Sequence, residues 1–254
     1  MPPTLDTRPD WPAFDPQAAI QLLHDEADWL AIRYVEENTH HRSARNGRPE
    51  QNSINFERGL MIEALVDGQI AYAATSDLSP SSLLATARRA VSHARDTAPL
   101  RASTFSPTVR PAHRGHNTSP AHRWLDSVSL GEFSDHLIEA SRRLKVSDKI
   151  VTAVAEATLI ETHMAYVSTS GSDITQRFLM SGQHFGAIAH HQGQTQQRSL
   201  NGPHARCWQT GLDAFDWDVL YEACQRVGLE ALELLDADNC PDETLDLVLA
   251  PDQM

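Results

Sequence analysis

The chain has 254 residues, of which 41% are hydrophobic and 22% are charged, as in ordinary globular proteins. Asp and Glu outnumber Lys and Arg by 34 to 21, and the formal net charge of −13 argues against a nucleic-acid partner, whose phosphates need clustered cations. The sequence contains no run of about 18 apolar residues, so no membrane-spanning helix is predicted. The N-terminus lacks the basic and apolar regions of a signal peptide. The three widely spaced cysteines favour a reduced, cytoplasmic setting.

The first third of the chain begins with a predicted helix followed by strands. Asp15 and Pro16 are typical of a helix N-terminus. Apolar residues then recur at helical spacing at Ile20, Leu23, Ala27 and Leu30. Residues 29–36 and 52–58 have strand-like patterns, and a polar connection is predicted between them at 40–49.

A hairpin and a second helix complete this third. Asp67 and Gly68 separate the apolar runs 60–66 and 69–75, and they predict a type I′ turn because both central positions need positive φ. A helix that begins after Ser79 is expected to run to about residue 95. The order α-β-β-β-α predicts helices packed on one face of a sheet.

The rest of the chain predicts an irregular segment and then a meander. Residues 96–128 are rich in proline and histidine, and a capping box at Ser129 and Glu132 begins a helix that ends near Lys145. Strands are predicted at 150–160, 164–168, 174–180, 184–190 and 195–200, with turns at 170–173, 181–183 and 192–193. A closing helix is predicted from Trp217 to Leu235.

These elements predict an α+β fold with an α-β-β-β-α N-terminal lobe and a larger antiparallel sheet with flanking helices. We expect four segments: the lobe at 1–98, an irregular crossover at 99–128, the helix, meander and closing helix at 129–243, and the start of a further domain at 244–254. The alternating run Leu245–Ala250 predicts a strand entering a sheet. We therefore expect the polypeptide to continue beyond residue 254, into a domain that would carry its own chemistry.

The thirteen histidines do not have metal-ligand spacing. The pairs His40–His41 and His190–His191 are adjacent in predicted extended chain, so their side chains point in opposite directions. Three further histidines (His113, His116 and His122) lie in the proline-rich segment without Cys or carboxylates at ligand spacing. No His-Glu-x-x-His pair occurs.

Three other features each allow two interpretations. The segment Ser170–Ser172 is a binding loop or a hairpin turn that needs small residues. Cys207, beside Arg206, is an activated thiol or a structural cysteine. The glutamine-rich segment 183–198 is a strand face that meets peptide or another chain, or a solvated surface. We predict no catalytic, cofactor-binding or metal-ligating residue in the chain.

A family resemblance rests on Ala31–Glu36, the hairpin Gly59–Thr75 and the following Ser76–Ser79, which look like the N-terminal region of the TldD/PmbA metallopeptidase family. Val167–Gln176 resembles a second family segment. The resemblance extends over roughly residues 17–254, with a poor match at 96–128 and at 236–242.

The resemblance implies a zinc metallopeptidase that degrades or trims peptides. In the family, a helix with a His-Glu-x-x-x-His motif in a C-terminal domain supplies the zinc ligands, and none of them is carried over onto this chain. Expected partners are a peptide or unfolded polypeptide and, in a homodimer or heterodimer, a second family member. Because some members lack the zinc motif, a non-catalytic partner subunit is the alternative, and whether the protein is an enzyme stays open. A third hypothesis is an unrelated module that binds peptide by β-augmentation.

Overall fold

The computed structural model describes residues 16–22, 25, 27–106, 108, 110–202, 206–238, 242–244 and 246–249. Its elements, in chain order, are α1 (Pro16–Leu22), β1 (Trp29–Arg45), β2 (Arg48–Val66), β3 (Gln69–Thr75), α2 (Pro80–Thr97), β4 (Arg114–Thr118), α3 (Leu130–Leu144), β5 (Ile150–Ser168), β6 (Asp173–His191), β7 (Gln194–Ser199), β8 (Cys207–Trp208) and α4 (Trp217–Glu233). The predicted α+β class and the α-β-β-β-α order at the N-terminus are confirmed. Within the described ranges, no helix is long and apolar enough to cross a membrane.

The strands form one largely antiparallel eight-stranded sheet, in the order β3-β2-β1-β5-β6-β4, with β7 and β8 also paired to β6. The exception is β4, which pairs with β6 in parallel, from Arg114 opposite Asp173 to Thr118 opposite Arg177. The residues of β4 lie within the irregular crossover that the sequence predicts at 99–128. All five of its residues are exposed, so its sequence lacks the apolar alternation that marks a half-buried strand.

β1 and β2 are longer than their sequences predicted. The expected polar connection at 40–49 instead continues β1 to Arg45 and turns through Asn46 and Gly47, whose φ values are 50° and 76°. Residues 52–58 and 60–66 belong to one strand of 19 residues. Because the backbone makes the ladder hydrogen bonds, polar side chains along a strand do not interrupt it. The Asn-Gly pair is itself a strong hairpin signal.

The second hairpin shows the same merging. The predicted strands at 150–160 and 164–168 form the single strand β5, and those at 174–180 and 184–190 form β6. The predicted turn at 181–183 is wrong, because Ser181 and Gln183 are buried within β6 and Ser181 is paired with Trp208 of β8. The turn at 192–193 is confirmed, with Gln192 and Gly193 both at positive φ.

The helices begin close to their predicted positions. Ser79 caps α2 and accepts a hydrogen bond from the Ser82 amide at 3.3 Å. Ser129 precedes α3, but its side chain makes no capping hydrogen bond, so the predicted capping box is not formed. α1 ends at Leu22, and Leu30, predicted on its face, lies in β1 instead. Asp15 and Leu23 of the α1 prediction lie outside the described residues.

Contacts divide the chain into two compact units. Unit 1 comprises 1–38, 56–118 and 162–178, and unit 2 comprises 39–55, 119–161 and 179–254. The core of unit 1 joins the apolar face of α2 to the sheet: Leu30, Ile32, Leu60, Ile62, Ala64, Leu83, Ala87, Ala90, Val91, Ala94 and Val167. The core of unit 2 joins α3 and α4 to the sheet: Phe133, Leu137, Leu144, Ala153, Ala155, Ala157, Leu159, Leu179, Phe185, Val227 and Ala231.

The strand predicted at Leu245–Ala250 is not formed in its described part. Residues 246–249 have no strand pairing, and Leu247 and Val248 are 79% and 92% exposed. Leu245 and Ala250 lie outside the described residues. An alternating pattern indicates a strand only where a neighbouring strand supplies the ladder hydrogen bonds.

Candidate functional site

The unit 1 sheet carries a polar and aromatic cluster on the face opposite α2. On β2, Ile62 and Ala64 lie in the core with α2, so strand alternation places Glu63 and Leu65 on the other face. Tyr72 of β3 is the ladder partner of Glu63, and cross-strand partners share a face. We use the name Arg110 cluster for six residues: Trp29, Arg33, Glu63, Tyr72, Arg110 and Tyr166.

An ion pair lies at the centre of the cluster. Arg110, from the segment between α2 and β4, donates a hydrogen bond through Nη1 to Oε2 of Glu63. The Glu63 side chain is 3% exposed and the Arg110 side chain is 40% exposed. Oε1 of Glu63 is buried and has no hydrogen-bond partner among the described residues. The pair therefore uses one N–H of the guanidinium, not the bidentate fork typical of arginine and carboxylate.

Aromatic rings hold both arginines. The Arg110 guanidinium lies over the ring of buried Trp29, 5.4 Å from its centroid, and the Arg33 guanidinium lies over Tyr166 at 5.9 Å. Such cation–π contacts favour the charged group on the face of the ring. Burial raises the pKa of the Tyr166 phenol, while its hydrogen bond with Arg110 and the charge of Arg33 act in the opposite direction. At neutral pH the cluster therefore contains a neutral phenol beside two guanidinium groups.

The β5–β6 turn adjoins the cluster through Trp29. The indole Nε1 donates to Ser170 Oγ at 3.3 Å, and Ser170 Oγ lies 2.7 Å from Ser168 Oγ. The Ser172 amide donates to Ser168 Oγ at 3.2 Å, and Gly171 adopts a φ of 93°. These serines bond to each other and to neighbouring strands, which supports the hairpin-turn interpretation of 170–172.

A second buried polar group lies on β1 within unit 2. Arg42 donates through Nη1 to Asn52 Oδ1 at 3.1 Å, and His40 is buried nearby on the same strand. Burial lowers the pKa of His40, the Arg42 charge lowers it further, and the Glu161 charge opposes both. Nδ1 of His40 and Nε of Arg42 are buried without a partner among the described residues. A neutral, enclosed imidazole is suited to structural packing and not to contact with substrate.

An open depression of about 620 Å³ lies in unit 2 at the C-terminal end of α3. It is lined by Asn46, Arg142, Lys145, Val146, Ser147 and Asp148. Cations at a helix C-terminus complement the helix dipole, which accounts for Arg142 and Lys145 without a ligand.

The histidines considered as metal ligands in the sequence do not come together in the part of the chain that the structure describes. His190 and His191 lie at the exposed end of β6, whereas His40 is buried and His41 is half-buried on β1. His113, His116 and His122 are exposed in the segment that leads to α3. Across the described ranges, no three His, Cys, Asp or Glu side chains are close enough to hold a metal ion. The zinc implied by the family therefore does not fit these residues, and we derive no chemical step through it.

The cysteines differ in exposure. Cys224 is buried in the unit 2 core, and burial raises the pKa of its thiol to about 12. Cys207 is exposed on β8. Cys240 lies outside the described residues. A thiol whose pKa is raised this far stays protonated, so Cys224 is not a nucleophile.

The sequence did not single out the Arg110 cluster. Its available signal was Glu63, a carboxylate within the apolar run Leu60–Val66, because a buried charge requires a partner. That partner, Arg110, is 47 residues away in the chain, in the segment expected to be irregular. Only the tertiary structure identifies it.

The fold and the cluster define an α+β protein with a charged and aromatic sheet face. Residues 30–94 match the family described as PmbA/TldA metallopeptidase domain 1. This segment therefore resembles the first domain of the TldD/PmbA family, over about a quarter of the chain. The match covers β1 to α2 almost completely and includes Arg33, Glu63 and Tyr72. A search of curated proteins finds no match.

Solved structures share the fold over most of the chain. A proposed modulator of a DNA gyrase from Thermotoga maritima is similar at a TM-score of 0.69 and 15% identity, over 89% of this chain and 49% of its own. TldE from Thermococcus kodakarensis is similar at 0.60 and 13% identity, over 85% and 47%. A proposed modulator of DNA gyrase from Bacteroides thetaiotaomicron is similar at 0.64 and 11% identity, over 86% and 48%. The chain spans about half the length of these proteins, and at these identities the likeness shows the fold alone.

Proposed function

We propose that this chain is the N-terminal part of a TldD/PmbA-like zinc metallopeptidase that degrades or trims peptides. The observation that carries the proposal is the match of residues 30–94 to the first domain of a metallopeptidase family. The chain covers about half of the solved structures that share its fold, which supports placing the zinc-bearing part in the half it does not span. Zinc with an open coordination position activates water and polarises a scissile carbonyl.

In this proposal the present residues contribute binding and assembly. They would enclose a chamber, contact an extended peptide or unfolded polypeptide, and form part of a cytoplasmic homodimer or heterodimer. The Arg110 cluster supplies guanidinium and phenol donors for a polar ligand.

The experiment uses the full-length protein produced from its gene. Elemental analysis after dialysis measures bound metal, and mass spectrometry follows an unstructured peptide incubated with the protein. We expect about one zinc per zinc-bearing subunit and peptide cleavage that a chelator abolishes and added zinc restores. Full-length protein that cleaves no peptide, alone or with a co-expressed family member, would contradict the proposal.

A non-catalytic partner subunit of such a peptidase is the second candidate. This candidate rests on the family resemblance of the sequence, which implies that some family members lack the zinc motif. In this case the full-length protein would bind no zinc and cleave no peptide by itself. It would form a stable complex with a zinc-bearing family member and change the cleavage rate of that protein.

A further inference from the structure

The exposed side of the Arg110 cluster is rich in hydrogen-bond donors. Arg33 is exposed, Tyr72 is 48% exposed, and Tyr166 is half-buried between two guanidinium groups. Burial lowers the pKa of Arg110, but the charge of Glu63 and polar interactions with Glu63, Tyr166 and Tyr72 raise it above its ordinary value. Guanidinium groups only donate hydrogen bonds, and a neutral phenol can donate one, so this surface matches an acceptor ligand.

The charge of the cluster is also suited to an anion. It contains two guanidinium groups and the single carboxylate of Glu63, so it keeps one excess positive charge in a chain whose formal net charge is −13. Glu63 lies beneath the surface and engages one N–H of Arg110, which leaves other guanidinium donors for additional partners. Trp29 supports Arg110 from below, so the guanidinium is oriented before any ligand arrives.

We propose that Arg33, Tyr72, Arg110 and Tyr166 form a binding site for a carboxylate of a peptide. A carboxylate accepts from two directions at once, which fits donors from two guanidinium groups and the phenols between them. The choice of a peptide as the carrier of the carboxylate rests on the proposed peptidase function. The site deepens that function by selecting peptides through their acidic end or an acidic side chain.

The test measures binding of the 254-residue chain to short unstructured peptides at low ionic strength by isothermal titration calorimetry. Three peptides share one neutral sequence: one ends in a free carboxylate, one ends in an amide, and one has an amide end with a single internal glutamate. Because hydrogen bonds to charged groups are strong, we expect the plain amide to bind at least about tenfold more weakly than the better acidic peptide. Comparison of the two acidic peptides shows whether the terminal or the side-chain carboxylate is bound.

Variants locate the binding on the cluster. Arg33→Gln and the double variant Glu63→Gln/Arg110→Gln should each weaken the acidic peptide toward the affinity of the amide, and the double variant leaves no buried charge unpaired. Tyr72→Phe provides a variant at an exposed position that keeps the charges intact. Arg48→Gln removes an exposed arginine of unit 2 and should leave binding unchanged.

Several results would overturn the site. Equal affinity for the acidic and amide peptides would contradict the carboxylate site, although the chain would still bind peptide. Unchanged affinity in both Arg33→Gln and Tyr72→Phe would place the carboxylate elsewhere. Inorganic phosphate that competes as strongly as the acidic peptide would show a general anion site. Carboxylate-dependent binding without cleavage by the full-length protein would support the site and contradict the peptidase.

Discussion

Glu63 is a carboxylate that the fold keeps away from water, and its only partner among the described residues is Arg110. Burying an ion costs several kcal/mol, and a single ion pair offsets this only in part. Removal of Arg110 is therefore more damaging than removal of the pair, because it leaves the buried carboxylate of Glu63 without its counter-charge.

The first prediction concerns this pair. Arg110→Met should lower the free energy of unfolding by about 3 kcal/mol, since it leaves a buried carboxylate uncompensated. Urea denaturation measures the change. Glu63→Leu/Arg110→Met should recover most of the loss, because both charges are then absent.

The control is the exposed pair Arg45–Glu50, whose Nε and Oε1 atoms are 2.6 Å apart. Arg45→Met should change stability by about 1 kcal/mol or less, because solvent screens an exposed pair. If Arg110→Met were as mild as Arg45→Met, Glu63 would not depend on its partner.

The second prediction concerns His40, whose pKa is lowered from 6.5 mainly by burial. The folded protein then resists protonation while the unfolded chain accepts it, so the unfolded state binds more protons below about pH 6.5. The stability contributed by neutral His40 is present above that pH and is lost as the pH falls. Between about pH 7 and about pH 5, wild-type stability should decline more steeply than that of His40→Gln.

Denaturation midpoints measured across this range give both slopes. His93→Gln, at an exposed position on α2, should keep the wild-type slope. A His40→Gln profile that parallels wild type would show that His40 titrates normally in the fold.

At the scale of elements, the β2–β3 hairpin combines turn chemistry with a contact. Asp67 and Gly68 have φ values of 50° and 77°, and the Phe105 amide donates to the Gly68 carbonyl at 2.9 Å. A Cβ at Gly68 would overlap the methyl group of Thr104. Glycine is thus required here both for positive φ and for space.

The third prediction is that Gly68→Val lowers the free energy of unfolding by more than about 1 kcal/mol. The matched control is Gly193→Val in the β6–β7 turn, where φ is 82° and no atom lies within 4 Å of a Cβ. Both variants bear the backbone strain, but only Gly68→Val meets the Thr104 overlap, so it should lose more. If thermal melts showed equal losses of stability in the two variants, the overlap with Thr104 would contribute nothing.

The fourth prediction concerns Gly228, which lies buried in α4. Ala in place of a helical Gly ordinarily stabilises by up to about 1 kcal/mol. Here an added Cβ would overlap the Leu144 carbonyl at the end of α3 and crowd Val146. Gly228→Ala should therefore destabilise by about 1–3 kcal/mol.

Gly131, exposed in the first turn of α3, provides the control for Gly228. Its Cβ would have only the Ser129 hydroxyl nearby, at 3.6 Å. Gly131→Ala should be neutral or slightly stabilising in urea denaturation. A stabilising Gly228→Ala would mean that α3 and α4 can separate at little cost.

At the scale of the molecule, the solved structures that share this fold are about twice as long as this chain. The fifth prediction is that the 254-residue chain alone cleaves no peptide and binds no stoichiometric zinc. Elemental analysis after dialysis of tag-free protein measures the metal, and full-length protein treated in parallel is the positive control. About one zinc per chain of the 254-residue protein would contradict this prediction.

The sequence by itself determined what depends on neighbours in the chain. Asp67-Gly68 specified a tight turn, Ser79 with the apolar spacing of α2 specified a capped helix, and the order of patterns predicted the α+β class. These features rest on backbone preferences and periodicity within a few residues. The resemblance of residues 31–36 and 59–79 to a known family could also be recognised from the sequence alone.

Only the tertiary structure decided what depends on pairing across the chain. The lengths of β1, β2, β5 and β6 follow from ladder hydrogen bonds with their neighbouring strands. Because these bonds join backbone groups, the strands continue through residues with polar side chains as well as apolar ones. β4 is a strand because β6 lies beside it. The Arg110 cluster exists because the fold brings Arg110 over Glu63 and Trp29, from a segment whose own sequence predicts no regular structure. The local sequence pattern does not identify such a partner. A charged residue in an apolar strand indicates that a counter-charge is needed, but not which distant residue provides it.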